Sequence, residues 1–83
     1  MPYIPQKDRE EMDDLVEEMF AHGVEPNGSL NYVLFKFCKH YVSPSYNDYK
    51  NFIGELTECA AEIRRRLLAP YEDAKREENG DVE

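Results

Sequence analysis

The sequence predicts an all-α subunit in which three antiparallel helices, the third of them overlong, assemble into a homo-oligomer. Apolar residues recur at intervals of three and four positions in three segments of the 83-residue chain, which is typical of helices packed on one side. Short turns separate these segments, and short connections favour antiparallel neighbours. A chain of this length buries only about 60% of its unfolded surface, so association with further copies is the expected source of added stability.

The first predicted helix spans residues 7–22 and is apolar on one face. Gly23 ends it, because a glycine just past the last turn commonly terminates a helix. Six acidic side chains fill the opposite arc, and the early ones suit the positive end of the helix dipole. The face expected to pack inward consists of Met12, Leu15, Val16, Met19 and Phe20.

The second predicted helix, residues 30–42, is apolar on one side and aromatic with lysine on the other. Asn27 or Ser29 is available as its N-cap. Because a soluble protein rarely leaves a large aromatic face uncovered, we expect the second side to contact another subunit or a ligand. The inward stripe consists of Leu30, Val33, Leu34, Phe37 and Tyr41. The opposite stripe, called the aromatic-lysine face below, consists of Tyr32, Phe35, Lys36 and Lys39.

The third predicted helix begins after a Ser-Pro-Ser break and is overlong. Ser45 and Asp48 have the spacing of a capping box at its start. Residues 46–69 would span about 36 Å as a helix, roughly twice the length of the second. Pro70 predicts a stop or kink just before it, after which a short helix could resume with Pro70 in its first turn. The apolar stripe consists of Tyr49, Phe52, Ile53, Leu56, Cys59, Ala60, Ile63 and Leu67.

The chain is expected to form one helical domain over residues 1–78. No internal repeat, low-complexity tract or linker composition interrupts it. The Asn-Gly pair at 79–80 ends the helical pattern, so residues 79–83 are expected to form an acidic tail.

The net charge of −8 is distributed unevenly along the chain. Residues 1–24 carry −5 and residues 71–83 carry −4, whereas residues 26–70 carry +2. Binding to duplex nucleic acid or to an anionic membrane requires a dense cationic footprint, which this composition excludes. The basic middle of the chain still permits a small anionic ligand.

We expect a cytoplasmic protein without a disulfide, metal or cofactor. Cys38 and Cys59 both lie in helical patterns and are expected to be buried structural thiols. Cys38 and His40 point in different directions on a helix, and no second pair completes a zinc site. The chain shows neither a signal-peptide pattern at its beginning nor an apolar stretch of membrane-spanning length.

Three glutamates on the third helix suggest an enzymatic alternative. Glu55, Glu58 and Glu62 share a face, and paired acidic helices bind divalent cations in all-α nucleotide pyrophosphohydrolases. The acidic residues of the first helix, however, are expected to face solvent instead of a shared cavity. Glu62 also has arginines three and four positions ahead, which is the spacing of ordinary surface ion pairs. We therefore expect no catalytic residues.

The abundance of tyrosine favours a ligand or interface role. Six tyrosines occur with no tryptophan, and tyrosine combines a stacking ring with a hydroxyl. The aromatic-lysine face places rings next to ammonium groups, a combination suited to a base with a phosphate. It also suits a seam between subunits, with lysine stems packed over rings; we expect this contact first, and a ligand site second if a pocket forms beside it. The full predicted ligand set is Tyr3, Tyr32, Phe35, Lys36, Lys39, Arg64, Arg65, Arg66 and Tyr71.

Several short motifs resemble a family of small uncharacterised proteins from phages, prophages and related microbial genomes. They are Met-Pro-Tyr-Ile at 1–4 with Asp-Arg at 8–9, Leu-Asn-Tyr at 30–32, Ala-Pro-Tyr-Glu-Asp at 69–73, and Asn-Gly-Asp-Val at 79–82. The resemblance covers nearly the whole chain and implies no established activity. It does imply a small, phage-borne interaction protein in the host cytoplasm, of the kind that sequesters nucleotide signals of bacterial immunity.

The expected function is therefore non-enzymatic capture of a small nucleotide-like immune signal by a homo-oligomer, an anti-defence role. The alternative is an inhibitor or adaptor that binds one host protein through the same face or through the acidic first helix. A metal-dependent nucleotide hydrolase is the third interpretation.

Overall fold

The computed structural model describes Pro2–Val82, and the regular structure in this range is entirely helical. A short 3-10 turn, Gln6–Asp8, leads into α1, Arg9–Ala21. Helix α2 spans Gly28–Tyr41 and helix α3 spans Tyr46–Ile63. A π-helical segment, Arg64–Leu68, follows α3 directly and continues into α4, Ala69–Asn79. The predicted all-α class is confirmed, with three helical runs of which the last is long.

Helix α1 ends in a glycine motif that the sequence predicts. Gly23 has a φ of +77°, which a residue with a side chain rarely adopts. Its N–H donates to the carbonyl of Phe20 at 3.0 Å, and the N–H of Val24 donates to Met19 at 3.0 Å. These bonds satisfy the last carbonyls of α1 in the Schellman pattern, so the chain leaves the helix at Gly23.

Helix α2 is capped by Asn27, one of the two predicted candidates. The Oδ1 of Asn27 accepts a hydrogen bond from the backbone N–H of Ser29 at 2.8 Å. The Ser29 hydroxyl instead accepts the backbone N–H of Glu25 at 2.9 Å, which ties the preceding turn to the first turn of α2. The turn and the cap together fix where the helix begins.

Helix α3 begins at the predicted capping box. The Ser45 hydroxyl accepts the backbone N–H of Asp48 at 3.1 Å and donates to the Asp48 carboxylate at 2.8 Å. The Ser45 backbone N–H donates to the carbonyl of Ser43 at 2.8 Å, so the carboxylate contacts the hydroxyl instead of closing the usual reciprocal bond.

Replacing Ser45 with alanine is expected to lower the free energy of unfolding by about 1 kcal/mol, because an orphan N–H of α3 then loses its acceptor. Urea unfolding followed by circular dichroism measures the loss. Ser43→Ala is the matched control, since the bond recorded for Ser43 uses only its backbone carbonyl. Equal losses in the two variants would contradict a capping role for Ser45.

Pro70 does not end the helix, so the predicted stop just before it is wrong. The alternative prediction, a helix that resumes with Pro70 in its first turn, is confirmed in α4. Proline needs no N–H partner in a first turn. Immediately upstream, the N–H of Ala69 donates to the carbonyl of Arg64, five residues back. This wider turn allows the chain to pass the proline ring and remain helical through Asn79.

The apolar stripes of the helices are exposed. Among the described residues, none is buried, although several on α2 are half-buried, including Leu30, Leu34 and Cys38. Tyr41 is 79% exposed and Cys59 is exposed, so their predicted places in a core are wrong for the single chain. An amphipathic pattern identifies the face that must be covered, but not whether the same chain covers it.

The described residues fall into two compact units, Pro2–Phe52 and residues 53–82. In the first unit, Phe37 of α2 stacks on Phe52 of α3 with ring centroids 6.2 Å apart, and its ring also lies 5.5 Å from that of Tyr41. The second unit contains the rest of α3, the π segment and α4. A single domain over residues 1–78 stays a prediction. Within the described range, none of the helices has the length and apolar composition needed to cross a bilayer.

Candidate functional site

The aromatic-lysine face is present on α2 and is exposed. Tyr32, Phe35, Lys36 and Lys39 follow one another at intervals of three, one and three residues, which places them on one side of a helix. Tyr32 is 62% exposed and Phe35 is 67% exposed. Both lysines are also exposed. The four side chains are thus accessible together on one helix.

A direct contact joins Tyr32 to Lys36. The Lys36 ammonium donates to the Tyr32 hydroxyl at 3.2 Å and lies 5.5 Å from the centre of its ring. A cation this close to an aromatic face is attracted by the ring quadrupole. The contact holds the positive charge beside the ring, so one helical turn presents both a stacking surface and a cation.

Two further Tyr-Lys pairs, which are not predicted above, place an ammonium at a similar distance from a ring. The ammonium of Lys50 lies 5.6 Å from the ring centre of Tyr46, and that of Lys75 lies 5.7 Å from the ring centre of Tyr71. The Tyr-x-x-x-Lys spacing in helical segments is a readable signal for such pairs, since residues four apart are neighbours on a helix. Of the three pairs, only that of Tyr32 belongs to a surface with a second exposed ring and a second lysine.

The predicted arginines are consecutive in the π segment and belong to the second unit. Arg65 donates two hydrogen bonds to the carboxylate of Glu62, at 3.0 and 2.9 Å. The Glu62 side chain is only 13% exposed, so this pair is better shielded than most surface ion pairs. This contact confirms the predicted ion pair between Glu62 and the arginine three positions ahead of it. It also engages the guanidinium of Arg65 within the second unit.

Tyr3 and Tyr71, the two remaining residues of the predicted ligand set, lie in different units. Tyr3 belongs to the first unit and is 44% exposed. Near it, the Arg9 guanidinium donates to the carbonyl of Ile4 at 2.8 Å and ties the beginning of the chain to α1. Tyr71 belongs to α4 in the second unit and is 62% exposed. The first unit therefore contains Tyr3 together with the aromatic-lysine face, and the second contains the arginines and Tyr71.

The glutamates of α3 do not assemble a metal site within the described chain. No group of three or more histidine, cysteine or acidic side chains is placed to hold a metal ion in residues 2–82. Glu62 is paired with Arg65, and Cys38 and Cys59 are free thiols. The chemistry offered by the aromatic-lysine face is stacking, hydrogen bonding and charge attraction, which serve binding.

Comparison with known proteins gives a match to a family model. The model is described as a domain of unknown function, DUF6899, and it matches residues 1–82. No curated protein and no solved structure matches the chain.

Proposed function

The chain belongs to the DUF6899 family, and we propose that it is a non-enzymatic binding protein that captures a small nucleotide-type ligand. The observation that carries this proposal is the contact between Lys36 and Tyr32 on an exposed helical face. A nucleotide combines a planar base with a phosphate, and the aromatic-lysine face offers a ring and an ammonium within one turn.

The second half of the face extends the same chemistry. Phe35 supplies another exposed ring, and Lys39 supplies another ammonium one turn after Phe35. Base stacking on an aromatic side chain contributes about 1–3 kcal/mol, and lysine attracts phosphate as a point charge. A small ligand could therefore contact two rings and two cations along α2, whereas the net charge of −8 disfavours a long polyanion.

The proposal includes self-association. A folded chain normally covers its apolar stripes, but none of the described residues is buried in the single chain. Phe20 is 85% exposed and Val16 is 62% exposed on α1, for example. Further copies of the chain are the simplest cover, since most soluble oligomers are assembled from identical subunits.

The biological setting is proposed from the resemblance to small phage proteins. A phage-encoded binder in the host cytoplasm would act by lowering the free concentration of a nucleotide signal, which requires binding without turnover. The acidic ends of the chain would keep such an oligomer soluble.

A thermal-shift screen with cyclic and linear adenine and guanine nucleotides tests the ligand proposal. A ligand present at about 100 times its Kd adds about 2.7 kcal/mol to the folded state, so the melting temperature should rise by several degrees. We expect Lys36→Glu with Lys39→Glu to abolish this rise while the oligomer mass is unchanged. Lys7→Glu with Lys50→Glu is the control, because it has the same net charge and leaves the aromatic-lysine face intact.

Each alternative predicts a different result in the same screen. No shift with any nucleotide, combined with capture of a single host protein, would replace the proposal with the inhibitor or adaptor function. Consumption of a nucleotide in the presence of Mg²⁺, stopped by Glu58→Ala and Glu62→Ala, would replace it with the hydrolase.

A further inference from the structure

We propose that Asn79 is a site of spontaneous deamidation, whereas Asn27 resists the same reaction because it caps α2. These asparagines are the two that glycine follows in the sequence. Asparagine is a thermolabile residue, and a following glycine makes it more so, because glycine has no Cβ to hinder attack by its own nitrogen. The inference goes beyond the proposed function and does not depend on it.

The reaction needs only water and the groups of the Asn-Gly pair. The backbone nitrogen of Gly80 loses its proton to solvent base and attacks Cγ of Asn79. The Cγ–Nδ2 bond then breaks, Nδ2 takes up a proton from water and leaves as ammonia, and a cyclic succinimide remains. Water opens this ring at one of its two carbonyl carbons, which gives aspartate or isoaspartate. The net change converts an amide and a water molecule into a carboxylate and an ammonium ion.

The glycines of the two pairs are equally open to this reaction. A Cβ at Gly28 or at Gly80 would meet no more distant residue of the described chain within 4 Å. Both asparagines are exposed. The backbone of Asn27 is extended, with a ψ of −152°, and does not by itself keep the Gly28 nitrogen from Cγ. The two pairs therefore differ in what holds the asparagine side chain.

The side chain of Asn27 is bonded through both atoms of its amide. Its Oδ1 accepts the backbone N–H and the hydroxyl of Ser29, each at 2.8 Å, and its Nδ2 donates to the Glu25 carboxylate at 3.3 Å. Ring closure changes the geometry at Cγ and removes Nδ2, so these bonds must break first. The cap alone lowers the population of released side chains about fivefold.

The side chain of Asn79 is not tied in this way. Asn79 is the exposed last residue of α4, and its amide makes no side-chain hydrogen bond within residues 2–82. Gly80 leaves the helix with a φ of +85°, and the ends of helices fray. The amide of Asn79 can therefore turn toward the Gly80 nitrogen without the loss of a cap.

Deamidation at Asn79 changes the charge of the chain away from the proposed ligand face. Residues 71–83 carry −4, and the new carboxylate adds one more negative charge close to Asp81. Conversion of Asn27 would instead alter the cap of the helix that carries the aromatic-lysine face. The hydrogen bonds of Asn27 thus confine this chemical ageing to the acidic segment and leave α2 unchanged.

Incubation of the folded full chain in mildly alkaline buffer made with ¹⁸O-labelled water tests the inference. Trypsin then separates the two asparagines into peptides 10–36 and 77–83, in which mass spectrometry locates the label. We expect Asn79 to convert at least about five times faster than Asn27. Asn79→Gln should abolish the fast reaction, because glutamine must close a larger ring. Ser29→Ala should accelerate conversion at Asn27 only, since it removes a donor to the cap.

Unfolding the chain in guanidinium chloride is the control for the role of structure, and the two asparagines should then convert at similar rates. A difference that persists in the denaturant would assign the preference to flanking residues and overturn the inference. Equal rates in the folded protein, or no conversion of Asn79, would also overturn it. Faster conversion of Asn27 in the folded protein would mean that the donors of Ser29 stabilise the developing oxyanion, which is the opposite of protection.

Discussion

Dilution of this protein is expected to lower its melting temperature and, at sufficiently low concentration, to remove most of its helical signal. Because none of the described residues is buried in one chain, the apolar stripes contribute to stability only when a second copy covers them. For an obligate dimer, each tenfold dilution lowers the free energy of unfolding by about 1.4 kcal/mol. This corresponds to roughly 3–5 °C for a dimer of this size. Circular dichroism melts over a thousandfold concentration range measure the effect.

The control for this experiment is the mass of the protein, measured at the same concentrations. Loss of ellipticity and loss of oligomer mass should follow the same curve if folding and association are one process. Intrahelical contacts such as the Tyr32–Lys36 pair do not depend on concentration, and isolated helices shorter than about 12–15 residues are marginal in water. A melting temperature that stays constant over the whole range, in a protein of monomer mass, would contradict the proposed self-association.

The helices were predictable because their limits are encoded locally. Gly23 adopts the positive φ that ends α1, and Asn27 and Ser45 cap the two helices that follow. Each of these residues acts on backbone groups only a few positions away, so a single sequence contains the whole interaction. The predicted and observed helices accordingly agree to within a few residues at these limits.

The continuation past Pro70 was harder to predict because it depends on a departure from α geometry. Proline alone predicts a break, since it removes a donor and crowds the preceding turn. The π segment at Arg64–Leu68 changes that outcome, and the consecutive arginines and leucines there show no periodicity that distinguishes an α turn from a π turn. The sequence therefore predicts that the helix ends before Pro70, whereas the chain remains helical through Asn79.

Periodicity alone could not predict whether the apolar stripes of the helices are buried within a single chain. Tyr41 and Cys59 fit apolar stripes in the sequence, yet both are exposed in the chain. A hydrophobic pattern reflects which side chains are buried in the functional protein. In an oligomer, some of these side chains are buried by other subunits. The contact between Tyr32 and Lys36 is different, because it lies within one helix. Residues four apart are neighbours on a helix, so their spacing alone indicates this contact.

Replacing Phe37 with alanine is expected to lower the free energy of unfolding by about 2 kcal/mol. The ring of Phe37 contacts both Tyr41 and Phe52, and aromatic pairs contribute about 0.5–1.5 kcal/mol each beyond the area they cover. The contact with Phe52 also links α2 to α3 within the first unit. Because Phe37 remains 53% exposed, the loss should fall below the 3–5 kcal/mol typical of a fully buried phenylalanine. Urea unfolding at a fixed protein concentration measures it.

Phe35→Ala is the matched control, since it removes the same side chain from the same helix only two positions away. Phe35 is 67% exposed on the aromatic-lysine face, so its loss should change stability by less than about 0.5 kcal/mol. The two variants should behave in the opposite way toward a nucleotide, with Phe35→Ala reducing the thermal shift and Phe37→Ala preserving it. If Phe35→Ala instead destabilises the protein as much as Phe37→Ala and lowers the oligomer mass, the aromatic-lysine face is the subunit seam.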